Sequence, residues 1–172
     1  MSSLNKSPFL RIFLSYLPII MLFFSVFNEF DFNYLKLDYF AFNFVHLLIF
    51  FWTLRNPDQL GYLAIFFAGI INDVVMGLPL GISSISYLVV SFVASYVRQV
   101  TVNMSLFTDW FTFILAIFFS NLVYLVLILN FSDLQLSYVD ISYNAFFTFL
   151  FYPFIWAIFN FYKKIMFLRA DD

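Results

Sequence analysis

Two side chains in this sequence are of a type and placement that could do chemistry, Asp73 and His46. Asp73 is the one acidic residue well inside an apolar run, in Gly69-Ile-Ile-Asn-Asp73-Val-Val-Met-Gly77. A carboxylate in hydrocarbon costs about 3 kcal/mol on insertion scales, so it requires a partner. One candidate is local: the Gly77-to-Gly81 turn and the first amides of the helix after it, where the helix dipole also favours an anion. The others are a second protein, or a proton or cation. The local anchor is favoured, because Asp73 stands one turn before Gly77. His46, one turn after Asn43, is the single histidine, and a metal site needs about three ligands. With no cysteine to add, His46 reads as a hydrogen-bonding group between helices.

No motif among these residues makes an active site, and the one alternative left open, a membrane acyltransferase using a single histidine, has no local signature to read. Paired-aspartate proteolysis needs a second embedded acid, and Asp73 is expected to be alone. His-Glu-x-x-His is absent, and no motif joins a serine to His46. A flippase would need a charged lateral cavity, whereas one buried acid and no buried base are expected. The sequence therefore predicts no catalysis, no cofactor and no metal.

The elements that must position these groups follow from composition. Of 172 residues, 64% are hydrophobic and 10% charged, and the mean hydropathy is +0.95. Soluble domains are about one-quarter charged, so the solvent here is lipid. The 29 Phe and 11 Tyr read as lipophilic bulk, since lipid-facing positions ask only for apolarity. A net charge of −2 without a basic cluster excludes the usual nucleic-acid surfaces.

A bilayer core takes about 20 apolar residues per helix. Apolar runs over 10–27, 39–54, 62–76, 82–97, 110–129 and 141–162 predict an all-α chain, a single six-helix transmembrane domain over 1–172. The first run follows Lys6 and Arg11 but lacks a small-residue cleavage site, so it reads as an uncleaved helix. In a six-span arrangement Lys6, Arg11, Arg55, Arg98, Lys163, Lys164 and Arg169 share one side. Lys36 lies on the other, with Glu29, Asp31, Asp38, Asp133 and Asp140. Cations are retained in the cytoplasm, which puts both termini there. Pro18 and Pro153 are expected to kink the first and last helices, and Asn121, Asn144 and Asn160 to bond between helices.

The third and fourth runs hold most of the small residues. Gly61, Ile65, Gly69, Asp73 and Gly77 recur every four positions and make one stripe on a helix. Small residues let backbones approach closely in lipid, so the stripe should face protein. Ser84, Ser91 and Ser95, with Ser83, Ser86 and Ala94 beside them, make the fourth helix a fitting neighbour across a tight antiparallel hairpin.

These features resemble the MreD family of bacterial rod-shape proteins. The resemblance is carried by Arg55-Asn-Pro57, Gly61, Gly69-Ile-Ile-Asn-Asp73, Gly77, Leu80-Gly81-Ile82 and Ser86-Tyr87, and by Tyr152-Pro-Phe-Ile-Trp156 ahead of Lys163-Lys164. The chain departs from it at Leu37-Asp38, where many relatives carry Arg-Pro. The resemblance implies a non-catalytic subunit of the elongasome in the bacterial inner membrane. Its direct partner would be an MreC-like bitopic protein, and MreB, RodA and the elongation transpeptidase would be indirect ones, with homodimerisation an open alternative. The family is similar in fold to the S components of energy-coupling-factor transporters. The residues expected to form the partner-binding or structural motif are Gly69, Asp73, Gly77, Pro79, Gly81, Ser84, Tyr87 and Ser91. The competing reading is a substrate-binding subunit of a vitamin transporter, whose pocket would draw on Asp73, Asn72, Tyr87, Asn121 and His46.

Overall fold

The computed structural model describes residues 8–27, 41–101, 105–132 and 137–168. Every regular element among them is helical: α1 (Pro8–Phe27), α2 (Phe44–Arg55), α3 (Tyr62–Met76), α4 (Ile82–Val100), α5 (Leu106–Phe131) and α6 (Tyr138–Leu168). A 3-10 turn over Pro57–Gln59 joins α2 to α3. Lys6, Glu29, Asp31, Lys36, Asp38, Asp133 and Arg169, used above to orient the chain, and Leu37 of the departure from the family pattern lie outside the described residues.

Helix ends depart from the apolar runs where capping decides them. α2 starts at 44 and not 39, because the Asn43 side chain accepts the His46 backbone N–H at 3.1 Å. α5 starts at 106 and not 110, because Ser105 Oγ accepts the Thr108 N–H at 3.3 Å and so draws Asp109 into the first turn. α4 and α6 run past the expected 97 and 162 to Val100 and Leu168, because no Gly or Pro follows the apolar run to stop either helix. α3 ends where expected. Gly77 takes a left-handed conformation (φ 66°), and the Leu78 N–H returns to the Asp73 carbonyl at 2.8 Å, a Schellman closure. Pro18 and Pro153 both lie inside continuous helices.

α2 is the core of the bundle. It is apolar on all sides, and every residue from Val45 to Leu54 is buried, the pattern of a helix surrounded by others. α1, α4, α5 and α6 all touch it, and neighbouring helices run in the order α1, α3, α4, α5, α6 around it. Trp52, Phe50, Phe51, Phe113 and Tyr152 fill the centre, with Phe113 and Tyr152 ring centroids 4.7 Å apart.

α5 and α6 are long and apolar enough to cross a membrane. Only 28% and 22% of their apolar windows are buried in the bundle, so most of that surface faces outward, as lipid-facing helices require. α2 and α3 are shorter apolar helices.

Polar pins hold α2 at successive levels. The Asn43 N–H donates to Thr148 Oγ1 on α6 at 2.8 Å. His46 Nε2 meets Ser120 Oγ on α5 at 2.8 Å, and Thr53 Oγ1 meets Ser91 Oγ on α4 at 3.3 Å. Such bonds are among the forces left to align helices in lipid, where apolar surface provides no drive.

Candidate functional site

Asp73 lies in the last turn of α3 and is fully buried. Its carboxylate bridges the helix connection. Oδ2 accepts the Gly81 N–H at 2.7 Å and Oδ1 accepts the Ser83 N–H at 2.8 Å. Both oxygens are therefore held by backbone donors at the N-terminus of α4, where the dipole favours an anion. Gly81 adopts φ 105°, which turns its N–H toward the carboxylate and which a side chain would resist. Asn72 Nδ2 donates to Ser83 Oγ at 2.9 Å, a second tie across the same connection. Pro79 sits half-buried in the turn and brings no N–H that needs a partner.

Gly69 is where α3 and α4 come closest. A Cβ built on it would stand 2.3 Å from Ser84 Cα and 2.5 Å from Ser84 N. Ser84 is buried, and its Oγ donates to the Phe66 carbonyl at 3.0 Å. The middle of the stripe, Ile65, Gly69 and Asp73, is thus buried, and at Gly69 the neighbour is α4 of the same chain. A Cβ on Gly61 or Gly77 meets nothing within 4 Å, so Gly77 serves its left-handed conformation and not a close approach.

The remaining motif residues point elsewhere. Tyr87 is buried, edge-on to His46 at 5.5 Å. Ser91 pairs with Thr53 of α2. His46 joins a small network in which Ser120 Oγ lies 2.7 Å from Ser86 Oγ and so ties α2, α4 and α5 together. The Asn144 side chain bonds within its own helix, its Oδ1 accepting from Thr148 Oγ1 at 3.3 Å, and Asn160 is exposed, so neither shows the expected inter-helix role.

A second buried acid corrects the expectation of a lone one. Asp109 in α5 is 1% exposed and forms an ion pair with Arg55 at the end of α2. Trp156 Nε1 of α6 donates to the same Oδ2 at 3.2 Å, and the Arg55 guanidinium lies 5.9 Å from the Trp156 ring centroid. Arg55 is thus a largely buried base, not a free cation at the surface. Asp109 and Asp73 do not form an acidic pair. Asp73 is tied to the first residues of α4, and Asp109 follows the far end of that helix, about 25 Å along it. A signal for Asp109, though not for the cluster, exists in the sequence. Asp109 is an acid among cations on its side of the bundle, and it follows a Ser105 cap that brings it into the helix.

A family model for rod shape-determining protein MreD matches residues 8–165. The chain belongs to the MreD family. Comparisons with curated proteins and with solved structures gave no match. Membership makes this a membrane protein of rod-shape determination. The MreD match spans α1 to α6 and takes in both carboxylate sites, so the Asp73 hairpin and the Arg55–Asp109 pair belong to the MreD domain itself.

Proposed function

We propose that the chain is a non-catalytic inner-membrane subunit of the elongasome, a single six-span domain with both termini in the cytoplasm, which holds an MreC-like bitopic partner and so organises lateral peptidoglycan synthesis. MreB, RodA and the elongation transpeptidase are reached through that partner. The observation that carries this reading is the family match over residues 8–165. The polar groups support a scaffold, because most are spent on holding helices together. Asp73 is consumed by Gly81 and Ser83, Asn72 by Ser83, His46 Nε2 by Ser120, and Asp109 by Arg55 and Trp156. A vitamin-binding subunit would keep such groups for its ligand, so that alternative gains no support from them.

The surface proposed for the partner is the outer face of α3, not its glycine stripe. Leu63, Phe67 and Val74 share one ridge and are 75%, 53% and 65% exposed, on the side of α3 away from Gly69 and Asp73. Gly69, Asp73, Gly81 and Ser84 act behind that ridge by fixing how α3 lies on α4.

Depletion in a rod-shaped host tests the function. Cells should round up as the chain is lost, and cells that stay rod-shaped contradict the reading. Capture of an MreC-like protein by the tagged chain should fall when Leu63 and Phe67 are both changed to Ala at normal expression. Unchanged recovery removes this ridge from the contact.

A further inference from the structure

The helices are unequal in a way that places the α3–α4 turn. α3 has 15 residues, about 22 Å, whereas a hydrocarbon core measures about 30 Å. α5 has 26 residues, about 39 Å. Their relative heights follow from one contact. Ser86 and Ser120, with Oγ atoms 2.7 Å apart, mark a common level on the antiparallel α4 and α5. From there α4 reaches its cap at Gly81 in about 7 Å, while α5 continues to Phe131 for about 16 Å. The turn therefore stops about 9 Å short of the end of α5.

The surface of α5 above Ser120 is open and mostly apolar, broken by Asn121 and by Asn130, whose Nδ2 returns to the Val126 carbonyl. Val126, Leu129 and Phe131 are 50%, 60% and 69% exposed, so lipid-seeking surface extends past the height of the turn. The turn has the same character. Gly77-Leu-Pro-Leu-Gly81 carries no charge, Leu80 is 70% exposed, and Val74 and Val75 beneath it are exposed.

Lipid-exposed backbone is tolerated only when its polar groups are satisfied from within. Here the Asp73 side chain takes the Gly81 and Ser83 N–H groups, its carbonyl takes the Leu78 N–H, and the Val74 carbonyl takes the Gly77 N–H, which leaves the Leu80 N–H as the one amide of the turn without such a tie among the described residues. Pro79 has no N–H. A buried carboxylate is then the device that lets a chain reversal lie in hydrocarbon.

We propose that the α3–α4 turn is immersed in the acyl chains of the outer leaflet, below the level reached by α5, with Leu80 in contact with lipid tails. This rests on the membrane-spanning, cytoplasmic-termini reading above. Lipid is the occupant argued for; a water-exposed turn in a locally thinned bilayer is the competing outcome.

The chain has no cysteine, so single substitutions report without background. Leu80→Cys, Ser137→Cys at the start of α6 and Phe118→Cys on the exposed face of α5 are purified, nitroxide-labelled and reconstituted in dioleoylphosphatidylcholine vesicles. Collision rates with oxygen and with a water-soluble nickel chelate are then measured. The oxygen-to-nickel ratio at Leu80 should be several-fold above that at Ser137 and nearer to that at Phe118. A Leu80 label as nickel-accessible as the Ser137 label, with Phe118 deep in lipid, overturns the immersion alone. A water-accessible Phe118 overturns the spanning reading, and the immersion with it. Leu80 packs against little, so its replacement leaves the fold intact.

Discussion

The two ends of the bundle each bury one carboxylate, and they satisfy it by opposite means. At the α3–α4 connection Asp73 is held on both oxygens by backbone N–H groups close in sequence. At the other end Asp109 is held on one oxygen by the side chains of Arg55 and Trp156, from two other helices, and its Oδ1 has no partner. Backbone donors need no side-chain ordering and bring no second charge, so the Asp73 site closes a turn locally. The Asp109 site brings a cation inside with it and clamps α2, α5 and α6 together. One carboxylate shapes a hairpin; the other sets how three helices meet.

Breaking the clamp should have the largest effect. Asp109→Ala leaves the Arg55 guanidinium largely buried without its counter-charge, a change that costs about 3 to 5 kcal/mol for inside pairs. Removing both charges together, as Arg55→Met with Asp109→Leu, should recover most of that loss, because an apolar pair of similar volume has no desolvation to offset. Denaturant titration of the purified protein in micelles would measure both. A loss below about 1 kcal/mol for Asp109→Ala would show that the pair behaves as a hydrated surface bridge.

The hairpin carboxylate should respond less, and more locally. Asp73→Asn keeps one acceptor and turns an NH2 group toward the other amide, so one of the Gly81 and Ser83 N–H groups loses its partner at a cost of about 2 kcal/mol. Hydrogen exchange should quicken at Gly81, Ser83 and neighbouring amides while the His46 amide stays protected. Loss of protection spread evenly through α2 would abolish the contrast between the two sites.

These differences also govern what could be read in advance. The Asp73 ties follow from residues eight and ten positions on, so a carboxylate one turn before a Gly–Gly turn points to its donors directly. The identities of the six helices were equally plain, since an apolar run in a charged frame needs no tertiary information. Arg55 and Asp109 lie 54 positions apart, and Trp156 is 47 beyond Asp109. Nothing local marks them as a set, and each taken singly looks like an ordinary charge or aromatic at a membrane edge. The glycine stripe was legible as a packing face. Four-residue spacing says that a backbone approaches and not which one; the serines of the fourth helix made it the fitting neighbour, and the Ser84 backbone beside Gly69 decides it.

The smallest effect expected is at Gly77, and it isolates conformation from contact. A Cβ there meets no atom within 4 Å, but the residue holds φ 66° to close α3. Gly77→Ala should therefore cost only the left-handed penalty, about 1 kcal/mol, and Gly77→Asn less, because an Asn side chain tolerates that region. If the turn exists to present the Gly81 N–H to Asp73, both variants should raise exchange at Gly81 in proportion to their stability loss. Equal destabilisation by Ala and Asn would mean that space at Gly77 is the issue after all, taken up by something outside the chain, and the Asp73 hairpin would then resemble the Asp109 clamp in needing more than itself.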